Sequence, residues 1–155
     1  MTGYSGTPLP KKLGIREGHL VAVRSAPETF RGTLGELPDG VTLHSRVSVP
    51  RNADARGIDV IVAFFHRRAE FERRLPGLMA AVDVDGGLWI AWPKRSSGAP
   101  TDMTEDVVRE VGVAHGMIDN KVCAIDETWS GLRLVYRRED RAALREARDE
   151  ASADA

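Results

Sequence analysis

The sequence predicts an α/β domain built on a doubly wound, mostly parallel sheet of about six strands, on three observations. Strand-like and helix-like segments alternate along most of the chain. The clearest strand, Ile58-Asp59-Val60-Ile61-Val62-Ala63-Phe64-Phe65, is a nearly unbroken apolar run that needs cover on both faces, as a central parallel strand does. Lys121-Val122-Cys123-Ala124-Ile125 and Leu132-Arg133-Leu134-Val135-Tyr136 are two further strands, and the short connection between them favours an antiparallel hairpin at the end of the sheet.

The elements follow in order. Thr7 to Gly14 carries a capping hydroxyl, an early proline and a closing glycine, the punctuation of a short opening helix. His19 to Arg24 has the apolar centre of a first buried strand. Pro27 to Leu34 is a weak helix, since Gly32 and Gly35 both cost helix stability. After the turn Pro38-Asp39-Gly40, Val41 to Val47 alternates and is rich in β-branched residues, which predicts a second strand nearer a sheet edge. Arg67 to Val82 places Phe71, Leu75, Leu78, Met79 and Val82 on one helical face, with Pro76 expected to kink or divide the helix. Asp83 to Gly87 reads as a turn into the short strand Leu88 to Trp92, and Thr104 to His115 as a helix with Val107, Val108 and Val111 inward.

At 155 residues and 42% hydrophobic content, one domain is expected over 1–138, burying roughly 70% of the surface of the unfolded chain. The remainder, 139–155, is charged and alanine-rich, and is read as a solvated helix or a disordered tail. A net charge of -1 provides no global field for nucleic acid or an anionic membrane, so neither is an expected partner. The single cysteine, Cys123, fits a reducing compartment, and no signal peptide or membrane-spanning run is evident, so the chain is read as cytoplasmic. Lys11, Lys12, Lys94 and Lys121 are the only lysines among 22 basic residues; each sits beside an element end.

The late segment Asp85-Gly86-Gly87-Leu88-Trp89-Ile90-Ala91-Trp92-Pro93-Lys94, followed by a parallel strand's antiparallel return, resembles in layout the sheet of the class I methyltransferases, a Rossmann-like fold, over about residues 19–138. That resemblance implies a glycine-rich cofactor loop after the first strand and an acidic residue closing the second. The sequence has Ser25-Ala26-Pro27-Glu28 and His44-Ser45-Arg46 in those places. No cofactor is therefore predicted, and neither S-adenosylmethionine nor NAD is expected to bind in the standard way. Longer strings, Thr2-Gly3-Tyr4-Ser5-Gly6-Thr7-Pro8-Leu9, Lys11 to Ile15, Trp92-Pro93-Lys94 and Lys121 to Leu132, resemble a family of small bacterial proteins of unknown function. That kinship implies no activity.

Ligands of doubly wound sheets bind beyond the carboxyl ends of the parallel strands. The rule gathers Ser25 to Glu28, Phe65-His66-Arg67, the loop 92–98 with Lys94, Arg95, Ser96 and Ser97, and the turn 126–130 with Asp126 and Trp129 onto one rim, with Tyr4 as a further candidate from the N-terminal segment. The two later segments are better candidates than Ser25 to Glu28. Cationic donors and hydroxyls in 93–101 suit a carboxylate or phosphate, while a solvated loop with Lys94 paired to Asp126 or Glu127 serves equally. His66 is the candidate acid or base, and Trp129 a stacking face or a core residue. Asp102 and Glu105 have capping-box spacing, Thr104 can cap a later helix start, and Cys123 reads as a small core residue. The four histidines show no metal-ligand spacing, so no metal site is predicted.

The main functional expectation is a Rossmann-like binding or regulatory module, without catalysis, for a small anionic ligand or a protein partner. One alternative is a small transferase with a degenerate methyltransferase-like pocket. Another is an interaction protein that docks or self-associates through an exposed sheet edge.

Overall fold

The computed structural model describes residues 6–48 and 56–153, so Tyr4 lies outside the described residues. Helix α1 (Leu9–Leu13) opens after Pro8 without a side-chain cap, so Thr7 does not fill that role, and it ends on Gly14 at φ 80°. Strand β1 (Leu20–Arg24) follows, then α2 (Phe30–Leu34) and the three-residue β2 (Thr42–His44). Next come β3 (Ile58–Phe64), α3 (Arg68–Ala81) and the long β4 (Val82–Pro93). The chain closes with α4 (Glu105–Ala114), β5 (Met117–Ala124), β6 (Trp129–Tyr136) and α5 (Arg141–Ala153).

These strands make one six-stranded sheet in the order β2-β1-β3-β4-β6-β5. Strands β2, β1, β3 and β4 are parallel, while β6 runs antiparallel to both β4 and β5. The α/β layout and the hairpin ending agree with the sequence, and β2 is at an edge as expected. One face of the sheet is covered by Phe71, Leu75 and Leu78 of α3 with Val108 and Val111 of α4; the other by Leu9 and Leu13 of α1 with Phe30 and Leu34 of α2. Alternate residues of the central strands feed the two layers, Ile61 and Ala63 on one side and Val60, Val62 and Phe64 on the other.

Four expectations need correction. Asp83 to Gly87 is part of β4 rather than a turn, because the glycines serve close approach. A Cβ on Gly86 would press on the Asp59 carbonyl, and one on Gly87 would collide with the Arg133 guanidinium. A register shift between Ile58 and Val60 absorbs the extra residues. Pro76 does not divide α3, which is continuous from Arg68 to Ala81; it lies on the exposed face, where water can satisfy the carbonyl left without an amide. Helix α2 and strand β2 are both shorter than the sequence signals, the helix starting only at Phe30.

The last segment is helical and it docks. Arg145 donates to both carboxylate oxygens of Asp83, at 3.0 and 2.9 Å, and Arg148 donates to the carbonyls of Val82 and Met79. Alternating charge in that segment thus includes arginines committed to the domain, not a wholly solvated face. Among the described residues, no helix is long and apolar enough to cross a membrane.

Candidate functional site

The chain leaves β1 toward β2 on one side and β3 toward β4 on the other, so the topological switch point lies between β1 and β3. A crevice of about 450 Å³ opens there, at the carboxyl ends, lined by Arg24, Ser25, Phe64, Phe65, His66, Arg67, Glu70 and Pro100. Ser25 turns the chain out of β1 at φ 54°, the only left-handed non-glycine among the described residues. Such a conformation costs a side-chain-bearing residue on the order of 1 kcal/mol or more, and the turn is one that glycine makes freely.

Arg24 spans the crevice floor. Its guanidinium donates to Glu70 Oε1 at 2.6 Å and to the Phe64 carbonyl at 3.2 Å, and stands 4.5 Å from the centre of the Phe65 ring. Hydrogen bonding from Arg24 holds the Glu70 carboxyl below its ordinary range, against a smaller opposing effect of burial. Glu70 is still partly exposed and keeps acceptor sites open toward solvent. The rim therefore offers a fixed carboxylate, Arg24 and Arg67 as cations, and the His66 ring.

Of the residues that the rule about strand ends gathers, Ser25, Phe65, His66 and Arg67 line this crevice, and His66 is the one among them singled out as a site candidate. Its ring meets Trp129 edge to face at 5.1 Å, and Trp129 in turn meets Phe64 at 5.0 Å, so Trp129 is a buried packing residue that positions the rim. Lys94 Nζ reaches Asp126, though it bonds the backbone carbonyl at 2.7 Å rather than a carboxylate. The Asp126 carboxylate is occupied in the turn, accepting from the amides of Thr128 and Trp129 at 2.8 and 2.7 Å. Arg95 and Ser96 are exposed, and Ser97 Oγ donates to the Lys94 carbonyl, closing a one-turn 3-10 helix. Lys94, Asp126, Trp129 and His66 thus share one rim, with Arg95 to Ser97 beyond it. Cys123 is half-buried in β5, and burial pushes its thiol up. No group of His, Cys, Asp or Glu among the described residues could hold a metal ion.

Arg24 and Glu70 were not candidates on sequence, while Ser25 and Arg67 were placed on the rim by the rule about strand ends without a role of their own. An arginine at the end of a buried strand and a glutamate in the first turn of a helix some 46 positions away are individually ordinary, and only the switch point brings them together.

A doubly wound sheet that returns through an antiparallel hairpin, with a crevice at its switch point, defines a Rossmann-like protein of methyltransferase-like fold. No protein-family model matches the sequence, and no curated protein matches it. Solved structures do. A SAM dependent methyltransferase from Aquifex aeolicus superposes with a TM-score of 0.54 over 80% of this chain and 85% of its own, at 16% identity. A DhpI–SAH complex gives 0.54 over 84% and 83% at 14% identity, and a precorrin-6y C5,15-methyltransferase from Geobacter metallireducens gives 0.55 over 83% and 86% at 8%. At these identities the likeness is one of fold.

These structural matches overturn the expectation that the chain takes no cofactor. That expectation rested on the missing glycines and on the missing acidic residue at the end of the second strand, yet Ser25 makes the left-handed turn without a glycine, and the resulting sheet matches proteins described as SAM-dependent or solved with SAH. The crevice residues fit an S-adenosyl ligand with an altered donor set. Its volume lies within the range of small-molecule pockets, and Arg24, Arg67 and Glu70 supply the charges that an amino-acid end and a sulfonium require. Pro27 offers no amide N–H and His44, the last residue of β2, is exposed, so the donors differ from the pattern the family resemblance implies.

Proposed function

We propose that this protein is a small transferase that binds S-adenosylmethionine in the crevice between β1 and β3. The observation that carries the reading is the crevice itself, with Ser25 in the left-handed turn and the Arg24–Glu70 pair across its floor. When bound, the cofactor supplies an activated methyl group. Arg24 and Arg67 are the residues to hold its carboxylate, and Glu70 to face its positive charge. His66, exposed at the rim and braced by Trp129, is the group to take a proton from an acceptor. Lys94 and Asp126 support the rim through the turn they share. Kinship with the small bacterial family is carried in the same proposal and adds no residue roles.

Isothermal titration of the full chain with S-adenosylhomocysteine tests the cofactor, and transfer of labelled methyl from S-adenosylmethionine to a small-molecule extract tests the chemistry. Saturable binding, S-adenosylmethionine affinity weakened about tenfold or more in Glu70→Gln, and label transfer lost in His66→Ala are the expected results. The absence of saturable S-adenosylhomocysteine binding by the parent protein removes the reading.

A further inference from the structure

A second and larger cavity, about 1080 Å³, opens at the opposite end of the sheet, beside the amino ends of β1 and β3. Its walls differ in charge. On one, the carboxylates are matched: Asp59 accepts from the Leu20 amide at 2.8 Å and from Arg56 at 3.1 Å, while Asp83 and Asp85 share Arg145. Asp149 is the remaining lining carboxylate, exposed on α5. On the other wall, Lys11, Arg16, Lys121 and Arg133 have no ion pair among the described residues.

Two features set that wall apart from a solvated surface. The Arg133 guanidinium lies against Gly87, in the space a Cβ there would fill, and its Nε is buried without a hydrogen-bond partner. Leaving such a donor unmatched is costly, and native proteins rarely do so without a reason. Burial, and then the charges of Arg141 and Arg16, lower the Arg133 pKa. The second feature is the register of the hairpin. After a shift between Asp119 and Lys121, Lys121 stands directly opposite Arg133, a like-charge cross-strand pair. Such a pair destabilises a sheet unless a counter-charge lies over it. Trp89, paired with Arg133 across β4 and β6, donates its indole N–H to the Leu13 carbonyl at 3.0 Å. That bond anchors the end of α1, and with it Lys11 and Arg16, beside the same guanidinium.

We infer that this cavity is a binding site for a small phosphate-bearing anion, gripped by Arg133 and Lys121, with Lys11 and Arg16 at its edge. Four cations exceed what one carboxylate would need, and a guanidinium fork matches phosphate oxygens in pairs. The anion neutralises the Lys121–Arg133 opposition. The site is separate from the β1–β3 crevice and stands whether or not that crevice binds a cofactor.

Inorganic pyrophosphate titrated into the full chain is the test, with sulfate at equal ionic strength as control. Saturable binding of one equivalent is expected, at least tenfold weaker in Arg133→Met and in Lys121→Ala. Arg133→Met should also melt at or above the parent temperature, because it removes an unpaired charge from a half-buried position; a merely structural arginine would lower it. Lys121 is exposed, so its alanine variant keeps the fold. No saturable binding by the parent, equal binding of sulfate, or affinity unchanged in both variants overturns the proposal.

Discussion

Arg145 and Asp83 form a two-pronged ion pair, at 3.0 and 2.9 Å, across 62 positions of sequence, and it fastens the last helix to the start of β4. Burial on its own would raise the Asp83 pKa, but Arg145 and the amides of Asp85 and Gly57 outweigh it and hold the group at about 2, down from 3.8. A carboxyl depressed in this way contributes stability above its unfolded value and loses it as pH falls toward the folded one. The shift corresponds to about 2 kcal/mol. Denaturant titrations should therefore show stability flat above about pH 5 and falling between 3.8 and about 2. Arg145→Met, which leaves the carboxylate buried beside two amides only, should cost about 2–3 kcal/mol and expose α5 to protease.

Gly57 is the backbone counterpart of that pair. Its amide donates to Asp83 Oδ1 at 3.0 Å, and a Cβ at this position would collide with the Asp83 main chain. Because backbone rather than a flexible side chain is in the way, β3 and β4 would have to separate. Gly57→Ala should therefore cost more than about 2 kcal/mol, a larger loss than a typical surface substitution, read as a drop in melting temperature. Gly77→Ala is the control, since nothing lies within 4 Å of its would-be Cβ.

Helix starts carry a smaller and more local prediction. Asp102 accepts from the Arg68 amide at 2.7 Å, so it caps α3 from 34 positions away, while Thr104 Oγ1 accepts from Val107 at the start of α4. Asp102→Ala and Thr104→Ala should each cost about 1 kcal/mol. If the two caps act on separate helices, the double variant should show the sum of the two losses.

The contrast between Thr104 and Asp102 shows what the sequence made legible. Patterns confined to one element were readable: the apolar run at Ile58–Phe64, the hairpin, the edge position of β2 and the Thr104 cap. Partnerships set by packing were not. Asp102 looked like part of a capping box with Glu105 but serves another helix, and Gly86-Gly87 looked like a turn but lies inside β4. The candidate site divides in the same way. His66, Lys94, Asp126 and Trp129 were reachable from the rule about strand ends, whereas Arg24 and Glu70, or Lys121 and Arg133, acquire meaning only from strand order and register.

Cys123 offers a chemical check on that register. Burial pushes its thiol above the ordinary value, and the charges of Lys12 and Lys121 pull it part of the way back. Less thiolate at a given pH, together with a half-buried sulfur, means slow alkylation; iodoacetamide at pH 8 should react about tenfold more slowly than with a free cysteine peptide. Lys121→Glu replaces one of the two opposing charges with its inverse, so it should slow the reaction further while leaving the fold intact. The dependence on pH separates the causes. If burial of the thiol dominates, the rate should keep climbing above pH 10, whereas a rate limited by access alone would have levelled off by about there. Full reactivity at pH 8 would mean that the sulfur does not face the α1 side of the sheet, and Lys121, two positions before it, and Arg133, ten positions after it, would lose their shared wall.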